Sequence, residues 1–157
     1  MTGDVMTDTD HLDRAITLAE DNIAGGGRPF GAVLVKDGQV LAAAANETHL
    51  NGDITAHAEL LAISRACREH GPDAVRGATI HASGQPCPMC LAACHAAGVA
   101  RVIFAGANAQ GAPFGLTSQR IYDQLARPLA EQSIPITHDA RERIIAVYRD
   151  WAAQGRG

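Results

Sequence analysis

The sequence predicts an α/β protein with a three-layer α/β/α arrangement around a five-stranded mixed sheet, in which strands four and five run parallel. Three observations predict it. Residues 30–43 read as strand, turn and strand between two helical stretches; the later strand signals alternate with helical ones; and no repeat or linker divides the chain, so the alternation belongs to one domain.

Residues 1–9 are polar and acidic and read as a disordered leader to a single domain spanning 10–157. Asp10 can cap a helix running to about residue 23, with Leu12, Ala15, Ile16 and Ala19 at helical spacing. Gly25-Gly26-Gly27 ends that helix, and Phe30 to Val35, Asp37-Gly38 and Val40 to Ala43 give two antiparallel strands about a tight turn. After a polar loop over residues 47–54, Thr55 or Asp53 can cap a helix over 56–70 with Leu60, Ile63 and Cys67 as its buried stripe. Gly71-Pro72 stops it. Residues 78–82 form the third strand, 88–97 a helix ended by Gly98, and 101–105 the fourth strand. A loop rich in Gly, Ala, Asn and Gln covers 106–117, a length that points to function. A short helix over 118–126 leads to a fifth strand at 134–137, made parallel to the fourth by the length of that connection. The last helix, 140–153, buries Ile144, Ile145, Tyr148 and Trp151, and Gly155-Arg156-Gly157 frays.

The chemistry concentrates in His57-Ala58-Glu59 and Pro86-Cys87-Pro88-Met89-Cys90. Residues three apart at a helix start share a face, so Cys87 and Cys90 can bring two thiolates to one cation, and the helix N-terminus favours their ionised form. Thiolate and imidazole suit Zn2+, and three ligands, His57, Cys87 and Cys90, leave the fourth tetrahedral position open. Glu59, two residues beyond His57, lies near the metal without being a ligand and suits a proton carrier. A closed structural zinc site would need Cys94 or His95. Cys94 lies seven residues past Cys87, about 10 Å further along a helix, too far to share the ion. A redox C-x-x-C has no use for the upstream His-x-Glu.

Around this centre, Phe30 can form a pocket wall or fill the core, and Asn46 reads either as a turn residue or as an amide able to read a donor and an acceptor edge of a heterocycle. The loop 106–117, with Phe114 in it, is the candidate for substrate selection. Cys67 and Cys94 read as small apolar residues, and His81 and His95 carry no assigned role.

Composition narrows the partners. The chain has 157 residues, 46% of them hydrophobic but 4% aromatic, so the core is aliphatic and alanine-rich. The formal charge is −4, and Lys36 is the one lysine among 13 basic residues. A polyphosphate ligand calls for a basic surface, so a small molecule is the expected partner rather than nucleic acid. No apolar run is long enough to span a membrane. Thiolate ligands call for a reducing compartment, which makes the expected location cytoplasmic.

On these residues the chain resembles the cytidine deaminase-like superfamily, and within it the small bacterial guanine deaminases, over roughly residues 10–152. The carriers are Pro29-Phe30-Gly31-Ala32-Val33, Asn46, Thr55-Ala56-His57-Ala58-Glu59 and Pro86-Cys87-Pro88-Met89-Cys90, and H-x-E followed by P-C-x-x-C is the signature of zinc nucleobase deaminases. The resemblance implies zinc on His57, Cys87 and Cys90, proton transfer by Glu59, a hold on the base from Asn46, and a homodimer. The Cys87 backbone N–H, unpaired at a helix start, can donate to the reacting oxygen and so joins Glu59 as a catalytic candidate, and Phe30, Ala58 and Phe114 are further candidate substrate contacts. The resemblance further implies hydrolytic deamination of a free base, with guanine leading. Cytosine or an aminotriazine, a tRNA adenosine, and a non-enzymatic structural-zinc module are the alternatives. Guanine deaminases of this type carry Cys-Glu before the Pro-Cys, an aspartate in the loop after strand four and an aromatic C-terminal residue. Here the corresponding stretches read Gly84-Gln85, Asn108-Ala109-Gln110-Gly111 and Gln154-Gly155-Arg156-Gly157.

Overall fold

A computed structural model describes residues 6–155; the first five residues of the expected leader, and Arg156 and Gly157 of the tail, lie outside the described residues. The chain divides into two compact units, one running through Tyr122 and the other starting at Asp123.

Helix α1 (Asp8–Ala24) begins three residues before the expected start because Thr7, not Asp10, is its cap. The Thr7 hydroxyl accepts the Asp10 N–H at 3.3 Å, and the Asp10 carboxylate accepts the Thr7 N–H at 2.6 Å, forming a reciprocal capping box. Strands β1 (Gly31–Lys36) and β2 (Gln39–Ala45) pair about a two-residue turn, with Asp37 and Gly38 at φ 50° and 76°. β1 also pairs antiparallel with β3 (Thr79–Gly84), which runs parallel to β4 (Arg101–Gly106). The strand order is β2-β1-β3-β4.

The sheet is mixed but has four strands, and its parallel pair is β3–β4. The expected fifth strand at 134–137 does not form, so the expected parallel pairing of strands four and five is absent. Pro135 offers no ladder N–H, and Ile134 and Ile136 stand 73% and 52% exposed, so the alternation there marks apolar residues without a sheet to receive them.

The layering follows from β1, buried on both faces. Ala32 and Leu34 pack with Ile80 and with Ala58, Ala62, Ile63 and Ala66 of α3 (Ala58–His70), and Cys94 of α5 (Pro88–Ala97) joins this cluster. Val33 and Val35 point the other way, onto Ala15 of α1. Small residues permit the close approach: a Cβ on Gly31 would lie 2.3 Å from the Ala15 carbonyl oxygen. α5 also supplies the crossover that makes β3 and β4 parallel.

The loops hold short helices that the pattern missed: α2 (Thr48–Asn51), α4 (Pro72–Val75) and α6 (Asn108–Gly111), the last followed by a 3-10 turn, Ala112–Phe114. Helix α7 covers Gln119–Leu125 and α8 covers Glu142–Ala153. The apolar stripe of α8 is not buried as expected: Ile144, Ile145, Tyr148 and Trp151 are all exposed. Periodicity creates an apolar face but does not supply the surface that covers it. No described helix is long and apolar enough to cross a membrane.

Under α1, His81 of β3 is buried, and its Nε2 lies 2.9 Å from Asp8 Oδ1; Asp8 also takes an Arg101 N–H at 3.0 Å. The His11 ring packs 5.2 Å from that of His81, and neither His11 nitrogen has a partner. Burial, then the charge of His81, lowers the His11 pKa. A buried base held neutral takes up protons only on unfolding, so the unfolded state gains protons as pH falls below about 6.5 and stability declines there. His11→Leu is expected to shrink the drop in melting temperature between pH 7.5 and 5.5. An undiminished drop in paired thermal melts would remove His11 as its cause.

Candidate active site

Two helix N-termini meet at the end of the sheet. His57 is the N-cap of α3 and Cys87 that of α5, and neither makes a side-chain capping hydrogen bond. The cap expected from Thr55 or Asp53 is absent for a local reason: the Asp53 carboxylate accepts the Thr55 N–H and hydroxyl at 2.8 and 2.7 Å, closing a turn before the helix starts. Pro88, at the first helical position of α5, fits where no N–H is needed.

His57 Nδ1 lies 3.4 Å from Cys87 Sγ and 3.5 Å from Cys90 Sγ, and the sulfurs are 3.5 Å apart. Ligand atoms around a tetrahedral zinc, with Zn–S bonds near 2.3 Å, are separated by about 3.5–3.8 Å, so this triangle fits the ion. Among the described residues these three form the one cluster of three or more His, Cys, Asp or Glu side chains able to hold a metal. Cys94 is outside it. Buried, with its pKa pushed up to about 11 by that burial, it behaves as a packing residue.

The electrostatics suit a cation. The Cys87 pKa is brought down to about 4, chiefly by the hydrogen bond from Cys90 and then by His57. The Cys90 pKa is raised by the same shared hydrogen bond and by burial. One negative charge in the sulfur pair makes the second harder to form until a cation arrives. Bonding to Cys87 raises the His57 pKa. Glu59, 7% exposed, sits with Oε2 3.5 Å from Cys90 Sγ, and burial raises its pKa.

Above these groups opens a cavity of about 600 Å3 whose wall includes His57, Glu59, Cys87, Phe30, Asn46 and Asn108. Register explains the gathering. Gly31 faces Ala45, and Gly84 faces Gly106, so the ends of β2, β3 and β4 and the start of β1 line one edge of the sheet. Phe30 is half-buried on this wall beside Gly84, where a Cβ would lie 2.9 Å from its ring, and the Arg28 guanidinium stands 5.7 Å from the ring centre. Gly84, which departs from the related pattern, therefore makes room for Phe30.

Asn46 closes a turn, as one of its two readings expects, and its acceptor end is taken up there. Its N–H donates to Phe30 O, its carbonyl accepts Asn22 Nδ2 at 2.9 Å, and its Oδ1 accepts the Thr48 N–H and hydroxyl, while Nδ2 is buried with no partner. Two expected substrate residues are placed elsewhere. The Ala58 side chain is fully buried in the core against the sheet. Phe114 is 78% exposed and outside the cavity wall, because Gly115, at φ 74°, reverses the chain after the 3-10 turn and brings Leu116, Thr117 and Ser118 inward instead. Gln85, Asn108 and Tyr122 were not singled out as site residues from the sequence. Gln85 Oε1 accepts the Asn108 N–H at 3.0 Å, and the Tyr122 hydroxyl donates to Pro86 O at 2.5 Å, bracing the thiolate loop. These are contacts across loops that spacing does not encode.

The chain belongs to the cytidine and deoxycytidylate deaminase family, whose zinc-binding region it matches over residues 6–106. It is a hydrolytic, zinc-dependent deaminase with the mixed sheet of the cytidine deaminase-like fold. Among its relatives, the guanine deaminase of Bacillus subtilis is 36% identical over 141 residues, covering 89% of this chain and 90% of that protein. The crystal structure of guanine deaminase from B. subtilis superposes with a TM-score of 0.85 at 34% identity, covering 94% and 95% of the two chains. The tRNA-specific adenosine deaminase of B. subtilis is 32% identical over 121 residues, covering 77% and 75%.

Loss of a ligand and loss of a packing thiol should separate cleanly. Cys90→Ala is expected to reduce zinc in the purified protein from near one equivalent to a small fraction, and Cys94→Ala to leave it unchanged, as read by elemental analysis. Equal zinc loss in both variants would mean that Cys94 is a ligand.

Proposed function

We propose that the chain converts guanine and water to xanthine and ammonia. The observation that carries the reading is the near full-length similarity, in sequence and fold, to a guanine deaminase, combined with the cavity above the His57, Cys87 and Cys90 triangle. The metal is held by these three residues. Zinc bound there supplies an acidified water whose pKa lies near 7.

The chain's own groups do the rest. Glu59, buried at the start of α3, accepts one proton of the water and delivers it to a ring nitrogen beside the amino-bearing carbon, then takes the second proton from the newly bonded hydroxyl and passes it to the departing amine as the carbon–nitrogen bond breaks. Burial raises its pKa, which favours holding a proton between the two transfers. The Cys87 backbone N–H, at the start of α5, steadies the oxygen developing on the attacked carbon. Asn46 Nδ2 donates to an acceptor on the base, and the Phe30 ring covers one side of it. The net charge of −4 favours a free base over an RNA. Ligand thiolates favour a reducing, cytoplasmic setting. A homodimer is the assembly that the resemblance implies.

Zinc-loaded wild type is expected to release equimolar ammonia and xanthine from guanine. Glu59→Gln should retain zinc and lose about a hundred- to ten-thousandfold in kcat. Near-normal turnover in that variant would falsify the proton-carrier role. Salt-sensitive deamination of a tRNA stem-loop with no turnover of guanine would transfer the reading to RNA.

A further inference from the structure

Every polar atom of Asn108 but one is accounted for. Its N–H donates to Gln85 Oε1 at 3.0 Å, and its Oδ1 accepts the Ser118 N–H at 3.2 Å and the Ser118 hydroxyl at 3.4 Å. A backbone N–H cannot accept, so the bond from Ser118 fixes which way round the amide stands. Nδ2 is thereby left buried with no partner, on a residue 7% exposed that lines the cavity. Asn46 has the same arrangement, its Oδ1 held by the Thr48 N–H and its Nδ2 orphaned.

The two orphan donors have distinct places. Asn46 follows β2 and Asn108 lies two residues past β4, the two edge strands of the sheet. Three strand spacings of about 4.8 Å set those strands roughly 14 Å apart. Phe30 and the β3 end at Gly84 lie between them. A ring seated over His57, Cys87 and Cys90 would thus lie between two residues that each hold an unpaired donor. Glu59 supplies the one carboxylate on the wall. Most buried donors in folded proteins are paired, so an unpaired one on a residue that lines a cavity points to a ligand.

The geometry points to Asn108 as a second base-reading residue, whose Nδ2 accepts only substrates that carry an unprotonated acceptor, a carbonyl oxygen or bare ring nitrogen, on the edge opposite the one Asn46 reads. The substrate class is therefore an amino-heterocycle with acceptors on both flanks of its amidine. This rests on the deaminase reading and refines it. For guanine the available acceptors remote from the amino group are O6 and N7.

Asn108→Asp isolates the claim, because one carboxylate oxygen still accepts from Ser118 while the other replaces the Nδ2 donor with an acceptor. The melting temperature is expected to stay at the wild-type value. The measurement is kcat/KM for guanine, for 7-deazaguanine, which lacks the N7 acceptor, and for 2-aminopurine, which lacks O6. Wild type should prefer guanine over at least one analogue by about ten- to a hundredfold, the cost of an unpaired buried donor. In Asn108→Asp, guanine turnover should fall by a similar factor and that preference should disappear. A variant that melts like wild type and keeps both preferences overturns the inference. Absence of guanine turnover by wild type instead sinks the guanine reading alone. The same variant is then compared with wild type on ammeline, which carries acceptors around its ring: a ten- to a hundredfold loss supports the donor role of Asn108, and an unchanged kcat/KM refutes it.

Discussion

Two helix N-termini directed at one point form an arrangement that the rest of the structure has to satisfy. Each carries roughly half a positive charge from its unpaired N–H groups, so α3 and α5 would repel at their starts unless anions lay between them. The Cys87 sulfur and the Glu59 carboxyl lie there. The residues that would ordinarily cap these helices are His57 and Cys87, and both turn their side chains towards the metal position. Each end forgoes a cap worth about 1 kcal/mol. Stability at the helix starts has been exchanged for a preformed ligand triangle.

The sheet holds those two starts in register. β1 is buried on both faces, so its alternate residues fix α1 on one side and α3 with α5 on the other. Because β1 is antiparallel to both neighbours while β3 and β4 are parallel, the chain exits three strands and enters the fourth at one edge. The cavity is that edge. Its wall is contributed by short segments of four strands, each tied by backbone bonds such as Asn46 N–H to Phe30 O and Gln85 N–H to Gly106 O. The alanine-rich core allows α1 to approach Gly31 closely, with no large side chain to hold the layers apart.

The ligand cluster, and the placing of a carboxyl beside it, were legible in the sequence because the pattern is local: two cysteines three residues apart at a helix start, and a His and a Glu two apart at another. The hairpin was legible for the same reason, as Asp37-Gly38 takes the two positive φ values that its turn requires. The fifth strand was not, since Ile134 to Thr137 has the composition of a strand but Pro135 lacks the N–H that a ladder requires. Phe114 showed the same limit. Its residue type suits a pocket, yet the turn at Gly115 points it to solvent.

What the sequence alone determined is the class of chemistry, because ligand identity, spacing and helix phase are properties of short segments. The tertiary structure alone decided the polarity of the cavity. Asn46 and Asn108 each have a donor and an acceptor in sequence, and which one is left unpaired depends on backbone N–H groups at Thr48 and Ser118 that hold the oxygen. An amide is ambiguous until its surroundings use up one end, and those surroundings are assembled only when the strand ends and the loops that follow them come together at one edge of the sheet.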